Sequence, residues 1–419
     1  MITKPKGTND ILPGDSYRWH HLEEKIREIT RCFGYREIRT PIFESTELFV
    51  RGVGDGTDIV EKEMYTFDDR GNRSMTLRPE GTASAVRSYI EHGLDKQEER
   101  CKLYYVGPMF RYERPQAGRF RQHYQFGLEI FGESSPWADV EIFSLINNLY
   151  KSLGLQNLSI NINSVGCREC RVHYMESLKK FLEINLKSLC EDCNRRYHKN
   201  PLRTLDCKNE GCHELLLEAP QSLSYICDDC KAHFEGVRHG LDILGIKYEI
   251  APSLVRGLDY YTKTVFEFVS SSLGAQNAVG GGGRYDNLIK ELGGPDIPAV
   301  GFAAGIERIL LTMDADEVVI PDSDLIELRV IALDEKSLEV SFRLTQDLRK
   351  MGLKVDMDFR GKSLKAQLRS SDKRRELFAL IIGENELRER KAKLKDLNHK
   401  KEFDVQLDDL ALICKLIRG

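Results

Sequence analysis

The sequence predicts an α+β domain with an antiparallel sheet flanked by helices, a helical insertion, and a smaller C-terminal α/β domain. Strand-like runs dominate the first part of the chain without regular βαβ alternation, which favours an antiparallel sheet. Cysteine-rich helical segments replace the strands from about residue 165 to 245. After an acidic, proline-bearing linker at Asp314–Asp324, strands and helices alternate regularly. We therefore expect one domain at residues 1–324, which contains the insertion, and a second at 325–419.

The first predicted element is an amphipathic helix over Trp19–Phe33, whose apolar residues recur every three or four positions. Gly34 ends it, and Tyr35–Pro41 is typical of a strand whose proline fits an edge position. Further strands are predicted at Glu63–Phe67, Ser74–Leu77, Lys102–Tyr112, Gln122–Phe131, Tyr248–Ile250 and Tyr260–Ser270. Helices are predicted at Gly81–His92 and Asp139–Leu153, and another begins near Ala304.

The predicted second domain alternates strand, helix, strand, helix, strand, which indicates a small mixed or parallel sheet. The segments are Leu328–Leu333, Glu339–Met351, Leu353–Met357, Ser363–Arg375 and Phe378–Ile382. Residues after Asp324 carry a net positive charge and the rest of the chain a net negative one. A basic module on an acidic body is compatible with a nucleic-acid partner, although many solvated helices are also basic.

The composition is that of a globular protein, with 41% hydrophobic and 31% charged residues and a formal net charge of −4. We find no apolar run of membrane-spanning length, and the N-terminus lacks the apolar core of a signal peptide. We therefore expect a cytoplasmic protein with no membrane partner. The 11 cysteines are then expected to be reduced, buried or metal-bound rather than paired in disulfides.

Four polar side chains are predicted on one face of two neighbouring strands. Arg111 and Glu113 share a face of the first strand, and Gln125 and Glu129 share a face of the second. Polar groups on a core face would be costly, so this face is expected to line a polar cleft. The alternative is a solvated hairpin with cross-strand ion pairs.

A second polar constellation opens the strand-like run at Arg256–Phe268. Thr264 and the phenylalanines that follow alternate with period two, which would direct one set of side chains inward. Arg256 and the Tyr260–Tyr261 pair would then lie at the mouth of a pocket. The alternative is an ordinary core strand preceded by a solvated arginine.

These segments resemble the histidyl-tRNA synthetase family, in the order in which that family carries them. The helix, Gly34 and Pro41 resemble motif 1 of class II aminoacyl-tRNA synthetases, Phe110–Gly132 resembles motif 2, and Gly301–Arg308 resembles motif 3. The histidyl identity comes from the sequences KGTNDILPGD, LRPEGTA, RGLDYYT and GGGGRYDNL. The tail, with SLKAQLRSSDK, resembles the family's anticodon-binding domain.

The resemblance implies a histidine–tRNA ligase that activates L-histidine with ATP and Mg²⁺ and then transfers it to the 3′ end of tRNA(His). It implies a class II catalytic fold, a homodimer formed through motif 1, and Arg256 and Arg111 as catalytic residues. The implied histidine pocket comprises Glu80, Thr82, Arg111, Gln125, Glu129, Arg256, Tyr260 and Tyr261.

On the nucleotide side, the resemblance implies that ATP is bound by Arg111, Glu113, His123 and Arg308. His123 departs from the phenylalanine expected to stack on adenine, although a planar imidazole also stacks. The implied contacts to the acceptor end of tRNA are Arg114, Gln116, Arg119 and Arg121.

Eight cysteines are concentrated in the insertion, and three pairs of them have C-x-x-C spacing. Such pairs are typical of zinc sites, and a metal would stabilise a small helical insertion. The candidates are Cys167, Cys170, Cys190, Cys193, Cys207, Cys212, Cys227 and Cys230. The alternative is a set of reduced structural cysteines, and a catalytic metal is not expected here because four cysteine ligands leave no open position.

Two other functions remain as alternatives. The first is a non-catalytic synthetase-like regulatory subunit of an ATP phosphoribosyltransferase in histidine biosynthesis. Such proteins commonly lose the catalytic arginines and the anticodon-binding domain, whereas Arg111, Arg256, Arg308 and a basic tail are present here. The second is a class II synthetase for another amino acid, against which the RGLDYYT and GGGGRYD sequences argue.

Overall fold

The computed structural model describes residues 1–54, 57–116, 118–205, 207, 209–255, 257–274 and 277–418. The chain forms two compact units, Met1–Ile320 and Pro321–Gly419. No helix within these described ranges is long and apolar enough to cross a bilayer.

The first unit contains an eight-stranded sheet and a smaller three-stranded sheet. Its strands are β1 (Arg36–Glu37), β2 (Phe43–Ser45), β3 (Tyr65–Asp68), β4 (Ser74–Leu77), β5 (Cys101–Phe110), β6 (Gln122–Phe131), β7 (Leu158–Ser164), β8 (Glu249–Ile250), β9 (Thr262–Ser270), β10 (Ala278–Arg284) and β11 (Ala299–Gly305). The large sheet has the order β1-β5-β6-β11-β10-β9-β7-β8, and the small one β2-β4-β3. Pairing in the large sheet is antiparallel except at its edges, where β1 joins β5 and β8 joins β7 in parallel.

Helices cover the large sheet and form the insertion. They are α1 (Pro13–Cys32), α2 (Thr46–Val53), α3 (Thr82–Glu91), α4 (Pro136–Ser152), α5 (Arg168–Asn185), α6 (Glu191–Lys199), α7 (Glu210–Leu216), α8 (Asp228–Ile243), α9 (Leu288–Glu291) and α10 (Ile306–Ala315). The predicted antiparallel sheet flanked by helices is thereby confirmed, and α5 to α8 make the insertion helical as expected.

The second unit has a five-stranded sheet with the order β13-β12-β14-β15-β16. Its elements are β12 (Leu328–Ala332), α11 (Glu335–Lys350), β13 (Val355–Met357), α12 (Leu364–Lys373), β14 (Phe378–Ile382), α13 (Glu384–Glu389), β15 (Lys391–Asp396), β16 (Lys401–Gln406) and α14 (Leu410–Arg418). Strands β12, β13 and β14 are parallel, and β15 and β16 add an antiparallel edge, so the predicted mixed α/β domain is confirmed.

Several predicted boundaries were wrong for local reasons. The strand predicted from Glu63 begins at Tyr65, because Ile59–Glu63 forms a π-helical turn. The strand predicted at Tyr35–Pro41 is limited to Arg36–Glu37. In the second unit, α11 begins four residues early because Asp334 and Ser337 form a reciprocal capping box.

The Tyr260–Tyr261 pair precedes β9 rather than starting it. Strand β9 begins at Thr262, and the next residue, Lys263, has a positive φ of 48°. This conformation is unusual for a residue with a side chain and interrupts regular strand pairing. The two tyrosines therefore belong to a loop, called the tyrosine loop below. Their side-chain directions do not have to alternate as they would in a strand.

The core of the first unit is aromatic where α4 crosses the sheet. Phe143 on α4 packs against Phe266 on β9 with ring centroids 4.3 Å apart, and Phe266 stacks on Phe302 of β11 at 6.2 Å. All three side chains are almost fully buried. This apolar layer fixes α4 on one face of the sheet and leaves the opposite face for polar side chains.

A buried ion pair adds to this packing. Arg284 of β10 donates to Asp139 of α4 at 2.6 Å, and neither side chain has any exposed surface. The other oxygen of Asp139 lies 3.4 Å from Nε2 of His233 on α8. Burial opposes ionisation of Asp139, but Arg284, His233 and Thr264 together outweigh it and lower the pKa of this carboxyl. The pair therefore joins the sheet to α4 and to the last helix of the insertion.

We expect Asp139→Asn to lower the free energy of unfolding of the first unit by about 3–5 kcal/mol, because it removes the fully buried counter-charge of Arg284 and leaves only the partly exposed Asp286. Both tryptophans of the chain, Trp19 and Trp137, lie in this unit, so their fluorescence during urea unfolding reports on it. The control is Asp296→Asn, which breaks an ion pair with Lys290 whose two side chains are 66% and 63% exposed. A loss no greater than that of the control would contradict a stabilising role for the buried pair.

Candidate active site

The polar face of the large sheet lies where β5, β6 and β11 run side by side. In the antiparallel register, Tyr105 of β5 pairs with Gly127 of β6, and Glu129 of β6 pairs with Gly301 of β11. Tyr105, Gly127 and Glu129 have the same parity along their strands and therefore share one face. Gln125 and Glu129 lie in β6 as predicted, whereas Arg111 and Glu113, predicted on a strand face, follow the end of β5 at Phe110.

Glu129 forms the centre of this face and has no exposed surface. Its Oε1 accepts hydrogen bonds from the hydroxyls of Thr82, at 2.8 Å, and Tyr105, at 3.2 Å. Its Oε2 accepts a short hydrogen bond from the hydroxyl of Tyr285. Burial, reinforced by the nearby Glu80, raises the pKa of Glu129 to about 8 despite these donors.

Glu80 is the second buried carboxyl of the site and holds the start of α3. Its two oxygens accept hydrogen bonds from the backbone N–H groups of Thr82, at 2.7 Å, and Ala83, at 2.8 Å. The positive end of the helix favours a carboxylate here, but burial raises its pKa. Gln125 accepts a hydrogen bond from the N–H of Gly81 at 3.2 Å. Glu80 and Gln125, both predicted in the histidine pocket, therefore lie at the start of the same helix.

The tyrosine loop forms an aromatic wall beside these carboxyls. The rings of Tyr260 and Tyr261 lie 4.8 Å apart, and Tyr260 meets Tyr285 edge to face at 5.5 Å. The neighbouring Asp259 is held by the insertion, because Asn200 donates to its carboxylate at 2.8 Å and Arg171 donates to its backbone carbonyl at 2.7 Å. The predicted catalytic Arg256 lies outside the described residues.

Three glycines let the backbone approach this network. A Cβ atom on Gly81 or Gly127 would lie 2.2 Å or 2.1 Å from the Tyr105 ring, which is therefore enclosed between them. A Cβ on Gly301 would lie 2.0 Å from Oε2 of Glu129. These distances are too short for any side chain, so glycine at these positions is required to seat Tyr105 and Glu129.

Three of the predicted nucleotide-binding residues lie just after the last residue of β5 or at the start of β6, and the fourth lies on α10. Arg111 donates to the carbonyl of Pro79 at 2.8 Å and lies 3.9 Å from the Glu113 carboxylate, which also pairs with Arg119 at 3.3 Å. His123 is desolvated and close to Arg111, which together lower its pKa to about 3, so its ring is neutral at physiological pH. Arg308, on α10, donates to the carbonyl of Ala278 at 2.9 Å.

The loop between β5 and β6 carries the predicted tRNA contacts in two different environments. The guanidinium of Arg121 lies 3.7 Å above the ring of Tyr112, and its backbone N–H donates to Gly7 at 2.7 Å. Gln116 and Arg119 pair through their backbones at the loop tip, and both are exposed, as is Arg114. Three of the four residues are therefore accessible, whereas Arg121 braces the base of the loop.

Sequence analysis missed two tyrosines that contact Glu129. Tyr105 has the same strand parity as Arg111, so extending the period-two argument along β5 would have placed it in the cleft. Tyr285 lies within the GGGGRYDNL segment, but its hydroxyl meets Glu129 only because β10 and β6 flank β11 in the sheet.

The eight candidate metal ligands lie in the insertion, in two separate groups. One contains Cys167, Cys170, Cys227 and Cys230, and the other contains Cys190, Cys193, Cys207 and Cys212. Each group offers four sulfur atoms, so neither resembles a catalytic metal site with an open position.

We expect the pH dependence of unfolding to report the raised pKa of Glu129. A carboxyl that binds its proton more tightly when folded stabilises the protein below the pKa of the unfolded state, about 4.3, and this stability is lost as the pH rises towards about 8. Glu129→Gln should therefore flatten the fall of the melting temperature between about pH 5 and 8. Glu307→Gln is the matched control, because the pKa of Glu307 is raised to about 7. The flattening of the melting-temperature curve in this variant should therefore end about one pH unit lower. An unchanged slope in Glu129→Gln would contradict the raised pKa.

Comparison with known protein families agrees with both units. Residues 7–309 match the family model described as histidyl-tRNA synthetase, and residues 327–415 match the model described as anticodon binding domain. The first match spans both carboxyls, the tyrosine loop and Arg308.

Relatives match along the whole chain. The histidine–tRNA ligase of Caldanaerobacter subterraneus subsp. tengcongensis is 51% identical over 98% of this chain and 99% of its own. That of Thermoanaerobacter pseudethanolicus is 52% identical over 98% of each chain. The crystal structure of apo histidyl-tRNA synthetase from S. aureus superposes with a TM-score of 0.84 at 38% identity, covering 100% of both chains. With this extent of similarity, the chain belongs to the histidyl-tRNA synthetase family.

Proposed function

We propose that the cleft binds L-histidine and ATP and that the chain is a histidine–tRNA ligase. The family is one of aminoacyl-tRNA ligases, and its reaction uses ATP with Mg²⁺, histidine and tRNA(His). A histidine carboxylate oxygen attacks the α-phosphorus of ATP, and the bond to pyrophosphate breaks. A ribose hydroxyl at the 3′ end of tRNA(His) then attacks the carbonyl carbon, loses its proton, and displaces AMP.

The buried Glu129 carboxyl is the observation that carries this proposal. A carboxylate has about four acceptor positions, and Thr82, Tyr105 and Tyr285 occupy three of them. One position remains for an imidazole N–H, and in this proposal Tyr261 binds the other ring nitrogen. A side chain without these nitrogens would leave buried groups unpaired, which disfavours isosteres of histidine.

The α-ammonium group suits the start of α3. Glu80 uses one acceptor position on each oxygen for the backbone of α3, which leaves others for an ammonium group. Burial of both carboxyls raises their pKa values, so an ammonium group bound beside them offsets part of the cost of their ionisation. Gln125, Thr82 and Tyr260 complete this side of the proposed pocket.

Adenylate formation is assigned to arginines and to positioning, without a protein nucleophile. In this proposal Arg111 contacts the α-phosphate, Glu113 accepts from the adenine amino group, and Arg308 contacts ATP from the opposite side. His123 stacks on adenine, for which its neutral ring is suited. Arg256 is the catalytic electrophile, since its fixed fork of donors stabilises charge on the α-phosphate.

Transfer to tRNA is assigned to two basic regions. The exposed Arg114, Gln116 and Arg119 are placed to meet the acceptor end, with Arg121 bracing their loop through Tyr112. We assign residues 1–324 to the catalytic domain, with the insertion at about 165–245, and residues 325–419 to anticodon binding. The match of residues 327–415 to an anticodon-binding family and the positive charge of this segment support the assignment.

Assembly as a homodimer through motif 1 is part of the same proposal. Ile42, Phe43 and Phe67 are 43%, 52% and 44% exposed, and they lie in or beside the small sheet that follows β1. The rings of Phe43 and Phe67 meet edge to face at 6.4 Å. Exposed aromatic side chains in contact with each other favour a protein–protein interface. We place the protein in the cytoplasm, where tRNA and ATP meet the translation machinery.

In this proposal, a zinc ion bound in the insertion has a structural role. The cysteine groups lie in the insertion, and four thiolate ligands would leave no site for substrate. The regulatory-subunit alternative is not favoured, because relatives named histidine–tRNA ligase match at about half identity over the whole chain. The catalytic Arg111 and the anticodon-binding segment are also retained.

The test of the function is ATP–pyrophosphate exchange by the purified full chain, assayed with each of the 20 amino acids separately. We expect exchange with histidine and a rate at least about 100-fold lower with every other amino acid, because buried polar partners discriminate strongly. Exchange with a different amino acid would reassign the substrate. A folded protein that binds histidine without exchange would favour the regulatory function instead.

We expect Arg256→Ala to lower histidine-dependent exchange by about 100- to 1,000-fold, the usual effect of removing one transition-state donor. The dissociation constant for histidine alone, measured by calorimetry, should stay close to that of the unmodified protein. Arg256→Lys is the matched variant, because it keeps the charge and loses the planar fork. Exchange near the original rate in Arg256→Ala would remove this residue from the catalytic step.

A further inference from the structure

The eight cysteines of the insertion converge in two sets of four. We propose that each set binds one Zn²⁺ ion, so that the insertion contains two structural zinc sites. The outer site is Cys167, Cys170, Cys227 and Cys230, and the inner site is Cys190, Cys193, Cys207 and Cys212. Within each set, all sulfur atoms lie within 4.8 Å of one another, and all eight cysteines are free.

The distances between sulfur atoms fit tetrahedral zinc. Zn–S bonds of about 2.3 Å in a tetrahedron place neighbouring sulfur atoms about 3.8 Å apart. In the outer site, Cys170 Sγ lies 3.5 Å from that of Cys167 and 4.0 Å from that of Cys230. In the inner site, Cys190 and Cys207 are separated by 3.7 Å. Each set therefore needs only small side-chain adjustments to enclose one ion.

Backbone donors at helix starts suit both sets for thiolate. In the outer site, Cys167 and Cys227 immediately precede α5 and α8, and the N–H of Cys227 donates to Cys170 Sγ at 3.0 Å. In the inner site, Cys190 immediately precedes α6, and its N–H donates to Cys212 Sγ at 3.1 Å. Such donors orient metal-bound sulfur atoms and stabilise their negative charge.

A purely apolar role for the cysteines explains less of this arrangement. A reduced thiol is a small apolar group with a weak donor, and packing alone gives four thiols no reason to converge. Here convergence occurs twice, and in the outer site it joins segments on either side of the intervening helices. Thiolates are soft ligands that select zinc over Mg²⁺ or Ca²⁺, and two sets of four leave no open coordination position.

The two sites are nested, and the chain between the halves of the outer site contains the whole inner site. The outer site joins the segment that follows β7 to the start of α8, the last helix of the insertion. The inner site joins α6 to α7, in a part of the insertion whose apolar core is small. A small segment of this kind gains stability from metal binding that its core alone does not supply.

The proposal is tested by measuring zinc in the full chain, purified under reducing conditions without added metal, by mass spectrometry of the element. We expect two equivalents of zinc per chain. Cys170→Ser and Cys193→Ser should each lower the content to one equivalent, and the double variant to none. Cys101→Ser is the control, because Cys101 is also buried but belongs to neither set, and it should keep two equivalents.

Cobalt substitution keeps the test independent of whether a variant folds. Metal-free chain titrated with Co²⁺ should develop the intense visible absorption of tetrahedral cobalt thiolate, with a break at two equivalents that zinc reverses. A folded, reduced chain that binds neither metal would overturn the proposal. Bound iron in place of zinc, or loss of both ions in a folded single variant, would overturn the assignment of two independent zinc sites.

Discussion

A carboxyl buried at the centre of an antiparallel sheet constrains most of the first unit. Glu129 is acceptable there only because three hydroxyl groups, from Thr82, Tyr105 and Tyr285, surround it. Those donors come from α3, from β5 and from the segment after β10, so the network needs the strand order of the large sheet. The closeness of β11 then requires glycine at position 301. The hydrogen bonds of Glu129 and the packing of the sheet therefore depend on each other.

The insertion takes part in this arrangement through the tyrosine loop. Asn200, which ends α6, and Arg171, next to Cys170, both hold Asp259, and the following two residues are Tyr260 and Tyr261. Elements that carry none of the predicted substrate-binding residues therefore contact the loop that holds the two tyrosines. The proposed zinc sites give this support a physical basis, since each lies at the start of a helix that provides one of these contacts.

Sequence patterns predicted the layers of the fold and the polar residues of β6, because period-two alternation and polar residues on a strand are local signals. Arg111 and Glu113 instead follow the end of β5. The predictions stopped at Ile382 and did not include α13, β15, β16 and α14, although apolar and charged residues alternate along β15. The contact between Tyr285 and Glu129 was also missed, since it depends on which strands are neighbours. The division of the cysteines into an outer and an inner set was not predicted either. C-x-x-C spacing identifies possible ligands but not which pairs would share one ion. The roles of individual site residues remain predictions.

The glycines around Tyr105 and Glu129 bear on attempts to alter amino-acid specificity. A common strategy in enzyme redesign is to reshape a pocket by introducing side chains from its walls, but Gly81, Gly127 and Gly301 leave no room for even a methyl group. Variation is therefore restricted to the hydroxyl donors and to the tyrosine loop. Changing any one donor also alters the protonation of Glu129, so a new substrate specificity requires coordinated replacements rather than single substitutions.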